Sequence, residues 1–408
     1  MSHQRPPLPP GPWLVVGLAR SGVAAGRALA ERGEEVAGVD AGHPPLDAPG
    51  FPVTLGTDGL DALERTGAVV KSPGVPREAP VIAEARRRGI TVIGELELAW
   101  RLLGERPWVV VTGTNGKTTT TELLGAIYRE ADLPHAVVGN VGTAATALAA
   151  TPLAPDATII AEASSFQLED TEVLTPDAAA LLNLEPDHLD RHGTFDDYRS
   201  AKLRAFVRQG PDDVAYAPPE IELPGRARRL EAPGLRPEEV RLRGPHNLAN
   251  ARAAAALALA RGVDPDAVAR ALRTFAGVAH RLEEVAERDG VLCVNDSKAT
   301  NVASTLVALR AFAGRRVHVL LGGEGKSQDF TPLREALATG AATPYAFGED
   351  AAQLPGERFT SLDEALAAAR VTARRGDVIL LSPACASFDQ FRDFEARGEH
   401  FRALVRQE

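Results

Sequence analysis

Trp108-Val109-Val110-Val111-Thr112-Gly113-Thr114-Asn115-Gly116-Lys117-Thr118 reads as a short apolar strand running straight into a glycine-rich turn. The segment behind it, Thr119 to Tyr128, permits a helix. A strand, a glycine turn and a helix start aim backbone N–H groups and a helix N-terminus at one spot, which makes an anion site. Lys117 adds a point charge for β- and γ-phosphate oxygens, and the Thr118 hydroxyl can hold Mg²⁺. The loop is shorter in glycine than the common pattern, because Val111 stands where the first glycine would be. The competing reading is a glycine turn with a solvated lysine; a strand-flanked G-x-x-G-K-T arises rarely by chance, so a nucleoside triphosphate site is expected.

The chain has 408 residues, too many for one compact core, so two or three domains are expected. A net charge of −10 argues against non-specific nucleic-acid binding. Cys293 and Cys385 sit in apolar runs without ligand spacing, which argues against a disulfide framework or a zinc site. No apolar run reaches membrane-spanning length, and Ser2 to Pro12 is Pro-rich rather than signal-like. These features predict a reduced cytoplasmic protein with a frayed N-terminal tail. The Arg-rich patches at 86–88, 226–229 and 374–375 read as solvated surface.

Outward from the loop, three blocks emerge: 1–99, 100–279 and 280–408. The first opens with a strand (Trp13 to Val16), the turn Gly17-Leu18-Ala19-Arg20-Ser21-Gly22, an Ala-rich helix and a second strand ending at Asp40. This is a Rossmann-like βαβ opening for a phosphate-bearing ligand, weakened by Ala19 at the middle glycine position; a plain βα corner is the alternative. The second block adds strands at Ala157 to Ala161 and Ala178 to Leu182 and a helix from about Asn247 to Arg261. Between them Ala217 to Arg243 looks irregular or built of short strands. The third block alternates strands (Val291 to Val294, Arg316 to Leu321, Pro344 to Phe347, Val378 to Leu381) with helices. An α/β fold of three domains follows, with parallel sheets throughout: Rossmann-like at both ends, P-loop ATPase-like in the centre.

Polar groups gather behind the strands. Glu162 ends a strand where a metal-holding acid is wanted, although a surface glutamate would read the same. Asn183 to His192 packs Asp and His after a buried strand. His188 could ligate a second Mg²⁺ or Mn²⁺, whereas His192 reads as solvent-facing. Lys202 alone reads as a surface lysine. Asn247 either caps its helix or faces a base. In the third block Asn295 to Asn301 reads as a ligand loop, and Gly322 to Ser327 as a second phosphate loop or a grip for a carboxylate. Cys385 has no base partner in sequence and makes a poor nucleophile.

Together these elements resemble the Mur ligases of peptidoglycan synthesis. The shared elements are Gly113 to Thr118, Glu162, Asn183 to His188, Lys202, His246-Asn247 and His280-Arg281. The loops Gly17 to Gly22, Ser164 to Leu168, Asn295 to Asn301, Gly322 to Lys326 and Ser382 to Phe391 are similar to those of members that add D-glutamate. The resemblance covers nearly everything after residue 12. It implies an ATP-dependent amide ligase that phosphorylates the carboxylate of UDP-N-acetylmuramoyl-L-alanine and joins it to D-glutamate. Lys117, Glu162, His188 and Lys202 would be catalytic. Thr118, Glu162, His188 and a carbamylated Lys202 would hold Mg²⁺, with Mn²⁺ as an alternative. Gly113, Thr114, Asn115, Gly116, Lys117, Thr118, Thr119, Asn247, Asn250, Arg281 and Asp296 would bind ATP. Gly17, Ala19, Arg20, Ser21, Asp40, Ser72, Pro73, Gly74, Asn140 and His188 would bind the UDP substrate. Lys298, Thr300, Lys326, Ser387 and Phe394 would surround D-glutamate. No nucleic acid or membrane partner is implied, and a monomer is expected. One departure stands out: after Asp40 relatives often carry a basic or hydroxyl residue, whereas this chain has Ala41-Gly42-His43, leaving His43 as the replacement to consider for uracil. A plain P-loop ATPase would not need the third-block loops, and a dinucleotide oxidoreductase would not need the separate ATP loop.

Overall fold

Valine-, isoleucine- and alanine-rich runs, buried on both faces, form the central strands of three sheets, the sequence habit of parallel strands covered by helices. The computed structural model describes residues 3 to 407 except Asp47, Val141, Lys326, Ser327, Thr339 and Ala341, and describes only the backbone of Asp190. The chain separates into two compact units, Met1–Phe275 and Ala276–Glu408. The expected boundary between the first two blocks therefore lies inside the first unit.

The first unit holds two sheets. One is ordered β3-β2-β1-β4-β5, from β1 (Trp13–Val16), β2 (Val36–Asp40), β3 (Val53–Leu55), β4 (Ala68–Lys71) and β5 (Thr91–Gly94). The other is ordered β11-β10-β9-β6-β8-β7, from β6 (Trp108–Thr112), β7 (His135–Gly139), β8 (Thr158–Glu162), β9 (Ala178–Leu181), β10 (Val214–Tyr216) and β11 (Arg228–Arg229). All pairs in both sheets are parallel. In each, strand order reverses beside the central strand, and such a switch point opens a crevice at the strands' carboxyl ends. That puts the turn after β1 next to Ser72 after β4, and the glycine loop after β6 between Glu162 on β8 and Asn183 after β9.

The second unit holds a six-stranded sheet ordered β12-β13-β17-β14-β15-β16. Its strands are β12 (Glu283–Arg288), β13 (Val291–Asn295), β14 (Val317–Gly322), β15 (Ala342–Phe347), β16 (Glu357–Phe359) and β17 (Val378–Leu381). Here the expectation of parallel pairing throughout needs correcting, because β12 runs antiparallel to β13. Asp289 and Gly290, at φ 51° and 78°, close a two-residue hairpin of the kind an Asp-Gly pair favours.

Two further expectations change. The Pro-rich N-terminal segment is docked rather than frayed. Arg5 lies 3.9 Å over the Trp100 ring and donates to the Gly104 and Arg106 carbonyls, while His3 meets Asp213 at 2.8 Å. Of the arginine patches, Arg86 is drawn in by Asp170, whereas Arg228 and Arg229 are exposed as expected. The segment 217–243 is irregular as expected, holding β11 and a short turn at Pro237–Glu239. Among the described residues, no helix is long and apolar enough to cross a membrane.

Candidate active site

The strand-to-helix element forms as its sequence requires. β6 is fully buried, Gly116 takes φ 84° as the residue before the helix Lys117–Glu130, and a Cβ there would stand 2.3 Å from Asn250 Oδ1. Only glycine fits that corner. The loop is held from one side by the segment after β9. Asn183 Oδ1 accepts from the Asn115 amide at 2.8 Å, and its Nδ2 donates to the Asn115 carbonyl at 3.1 Å. The Thr114 hydroxyl lies 2.9 Å from the Tyr198 hydroxyl and accepts from the Glu185 amide. Lys117 Nζ donates to the Gly113 and Thr114 carbonyls at 3.0 and 2.9 Å, curled over its own loop.

Lys202 is not the surface lysine its sequence position suggested. It is 2% exposed, its ammonium donates to the Gly113 carbonyl at 2.8 Å, and it lies 4.6 Å from the Tyr198 ring. The helix Phe195–Val207 turns it inward beside β9. Burial first, and then the neighbouring Lys117 charge, lower its pKa from 10.5 to about 7. Burial likewise pushes Tyr198 up to about 12.

Glu162 and Thr118 are both buried. Glu162 Oε1 accepts from Asn140 Nδ2 at 3.0 Å, and the two backbones pair at 2.9 Å. Gly139, at φ 121°, permits this approach, since a Cβ would come within 2.1 Å of the Glu162 carbonyl. His188 takes φ 52°, keeps its side chain 49% exposed, and sets its ring 4.9 Å from Phe166. By chemical type, a hydroxyl, a carboxylate and an exposed imidazole are mainly oxygen donors of the kind a hard divalent cation takes. His192 is corrected: instead of facing solvent it stacks on Phe166 at 5.2 Å and meets the Ser165 hydroxyl at 2.9 Å. Burial lowers its pKa.

Beside these groups lies a cavity of about 640 Å³. Gly17, Ala19, Arg20, Ser21, Asp40, Ser72, Pro73, Gly74 and Asn140 all line it, joined by Thr57, Asp58 and Gln167. The Gly17 turn is tight because Ser72 Oγ donates to the Gly17 carbonyl at 2.7 Å and a Cβ on Gly22 would stand 1.8 Å from that same oxygen. Asp40 is already engaged with the Leu18 and Gly42 amides at 2.6 and 2.8 Å. Ala41 lines the cavity, whereas His43 is exposed and packs beside Gly56.

Asn247 does not cap its helix, whose N-cap is Gly244; its amide instead donates to the Arg243 carbonyl at 2.8 Å. Asn250, buried, faces Gly116.

In the second unit, the loops after β13, β14 and β17 meet around Arg397, which is fully buried. Its guanidinium donates to the Ser297 hydroxyl and carbonyl and to the Gly322, Cys385 and Ala386 carbonyls, between 2.9 and 3.2 Å. Asp296 is buried against the Ser382 hydroxyl and the Leu282 amide, and burial raises its pKa to about 7. Arg281 and Lys298 flank His280, whose carbonyl accepts the Lys298 amide. Ser387 is buried, Thr300 half-buried, and Phe394 sets its ring 6.3 Å from His280. Lys326 lies outside the described residues. Gly323 serves backbone apposition, as its Cβ would stand 1.9 Å from the Ala386 carbonyl. Burial pushes the Cys385 thiol up to about 12, so it is no nucleophile at neutral pH.

Sequence reasoning missed Tyr198 and Arg397. An arginine on an amphipathic helix carries no mark of burial, and a tyrosine four positions before Lys202 gains meaning only once that helix face is known to point inward.

This architecture is that of the Mur ligases. The chain matches the model of the Mur ligase middle domain over residues 111–223 and that described as Mur ligase, glutamate ligase domain, over 280–385. With these matches and the relatives below, the chain belongs to the Mur ligase family. It is 39% identical over 442 residues to the UDP-N-acetylmuramoylalanine–D-glutamate ligase of Pelotomaculum thermopropionicum, covering 96% of each chain. It is 43% identical over 447 residues to that of Anaeromyxobacter dehalogenans, again covering 96% of each. The solved MurF ligase of Thermotoga maritima in complex with ADP shares the fold at TM-score 0.56 and 18% identity, covering 91% of this chain and 96% of that one.

Proposed function

We propose that this chain is an ATP-dependent amide ligase that joins D-glutamate to UDP-N-acetylmuramoyl-L-alanine in the synthesis of peptidoglycan precursors. One observation carries the reading. Asn140 lines the large cavity and also hydrogen-bonds Glu162, beside the glycine loop. A sugar-nucleotide substrate and a phosphoryl donor can therefore be held side by side.

The γ-phosphoryl group of ATP passes to a carboxylate oxygen of the alanyl group, giving ADP and an acyl phosphate. The D-glutamate amine attacks the acyl carbon, loses a proton, and the tetrahedral intermediate expels phosphate as the amide forms. Such chemistry needs positioning and positive charge rather than a protein nucleophile. Lys117 swings from its loop carbonyls onto the β- and γ-phosphates. Thr118, Glu162 and His188 would hold a divalent cation, which would supply positive charge against the charge developing on the transferred group. Lys202, once carbamylated, would be an anion able to help hold that cation. Its depressed pKa favours this, because only the neutral amine captures CO₂.

In this reading residues 1–99 bind the UDP end, residues 100–279 bind ATP with Asn247 and Asn250, and residues 280–408 bind the amino acid. Lys298, Thr300, Lys326, Ser387 and Phe394 surround D-glutamate, and Arg281 and Asp296 serve ATP. The enzyme works in the cytoplasm as a monomer. The test is phosphate release with Mg-ATP and UDP-N-acetylmuramoyl-L-alanine, comparing D-glutamate with L-glutamate, D-aspartate, L-lysine and no amino acid. Release confined to D-glutamate is expected. Equal release without an amino acid means a plain ATPase, and release with another amino acid a sister ligase.

A further inference from the structure

The short helix Leu189–His192 directly follows His188, and its third residue, Arg191, reaches out of the second sheet's crevice into the first. Arg191 Nη2 donates to the Val75 carbonyl at 2.6 Å and the Pro73 carbonyl at 3.2 Å, and Nη1 to the Gly74 carbonyl at 3.4 Å. One guanidinium fork thus fixes three consecutive carbonyls, all in residues that line the cavity. Its Cζ lies 4.6 Å from the centre of the Phe166 ring, the same ring that packs on His188. Only 19% of the side chain is exposed.

The surroundings are charged and interlocked. Lys71 Nζ, fully buried, also donates to the Val75 carbonyl at 2.9 Å, and it pairs with Asp170 at 2.8 Å and Glu169 at 3.3 Å. Glu169 approaches Arg191 to 3.9 Å. Lys71 therefore anchors the 73–75 loop from the strand side, and Arg191 holds it from the helix that carries His188. The loop continues through Ser72, whose hydroxyl fixes the Gly17 turn. Contact runs without a break from His188 to the turn at the far side of the cavity.

We infer that Arg191 is a positioning residue: it sets the cavity rim that receives the UDP-linked substrate at a fixed distance from the imidazole of the cation site. Arg191 itself is not among the residues that line the cavity. An arginine suits the position because a planar fork can satisfy several carbonyls while its face stacks on an aromatic ring, which an ammonium cannot do. The inference deepens the ligase reading and rests on it.

The experiment compares wild type, Arg191→Met and Arg191→Lys in the ligation assay, with KM for UDP-N-acetylmuramoyl-L-alanine and for ATP measured separately and melting curves for each. Arg191→Met should raise KM for the UDP substrate about tenfold, leave KM for ATP within about twofold and leave the melting temperature little changed. Arg191→Lys should fall between the two, since it keeps charge but loses the fork. Adding millimolar guanidinium to Arg191→Ala should lower its raised KM, a response that a purely structural defect would not give. An unchanged UDP-substrate KM in Arg191→Met overturns the inference. So does an equal rise in both KM values with a lowered melting temperature, which would mark a general packing role. A wild-type enzyme that does not ligate overturns the parent reading instead, and this inference with it.

Discussion

Replacing Lys202 by methionine should make the protein more stable and nearly inactive at once. The side chain is 2% exposed, and its ammonium is held at about 7 instead of 10.5. At pH 7 such a depression corresponds to at most roughly 4 kcal/mol of folding free energy forfeited. The sign follows from proton counting: between about pH 7 and 10.5 the unfolded chain keeps a proton that the folded chain sheds. Stability from this group therefore rises with pH across that window and is poorest below pH 7. Methionine fills a similar volume without charge, so in CO₂-free buffer at pH 6 to 7 Lys202→Met should melt about 3 °C or more above wild type, with the gap closing towards pH 10. The same depression leaves roughly half the amines neutral at pH 7, about a thousandfold more than an ordinary lysine would offer CO₂. Wild-type activity should accordingly depend on bicarbonate, and Lys202→Met should lose about a hundredfold or more in kcat. Short carboxylic acids should partly restore activity to Lys202→Ala, where space is left for them. Scanning fluorimetry across pH and the ligation assay with and without bicarbonate make the test. A Lys202→Met variant less stable than wild type at pH 6 would refute the burial argument. One that keeps full activity would refute the role given to the carbamate.

Other outcomes follow from single contacts. Asn183→Ala removes two hydrogen bonds that brace the glycine loop and should raise KM for ATP about tenfold, with KM for the UDP substrate unaffected in the same assay. Gly139→Ala would drive a methyl group to 2.1 Å from the Glu162 carbonyl at φ 121°, so chemical denaturation should show a loss of about 2 kcal/mol or more, with activity falling in parallel. Arg5→Ala should lower stability by about 1–2 kcal/mol through loss of the Trp100 stack and two carbonyl bonds, while steady-state kinetics stay unchanged.

The parts legible in the sequence were those where backbone chemistry dictates residue type. Gly116 had to be glycine and the valines of β6 had to be buried, so the strand, the glycine turn and the helix behind it were legible from pattern alone. Lys202 and His192 were misjudged from their residues because burial here is decided by tertiary packing: the helix Phe195–Val207 turns Lys202 inward, and His192 stacks on Phe166. Asn247 could equally have capped its helix, and only the placement of Gly244 decides otherwise. The antiparallel β12 was hidden by its charged sequence, Glu283 to Arg288, although Asp289-Gly290 carried the turn signal. The docked tail was misread because proline suggests extension and says nothing of what the extended chain lies on; Trp100 and Arg5 supply that.

The central claim is that the glycine loop, Glu162 and Lys202 activate a carboxylate through an acyl phosphate. The most direct measurement supplies UDP-N-acetylmuramoyl-L-alanine with oxygen-18 in its alanyl carboxylate and weighs the phosphate released during ligation to D-glutamate. The account predicts that each phosphate carries one labelled oxygen taken from the substrate. Unlabelled phosphate would mean that water attacks ATP directly, and would contradict it.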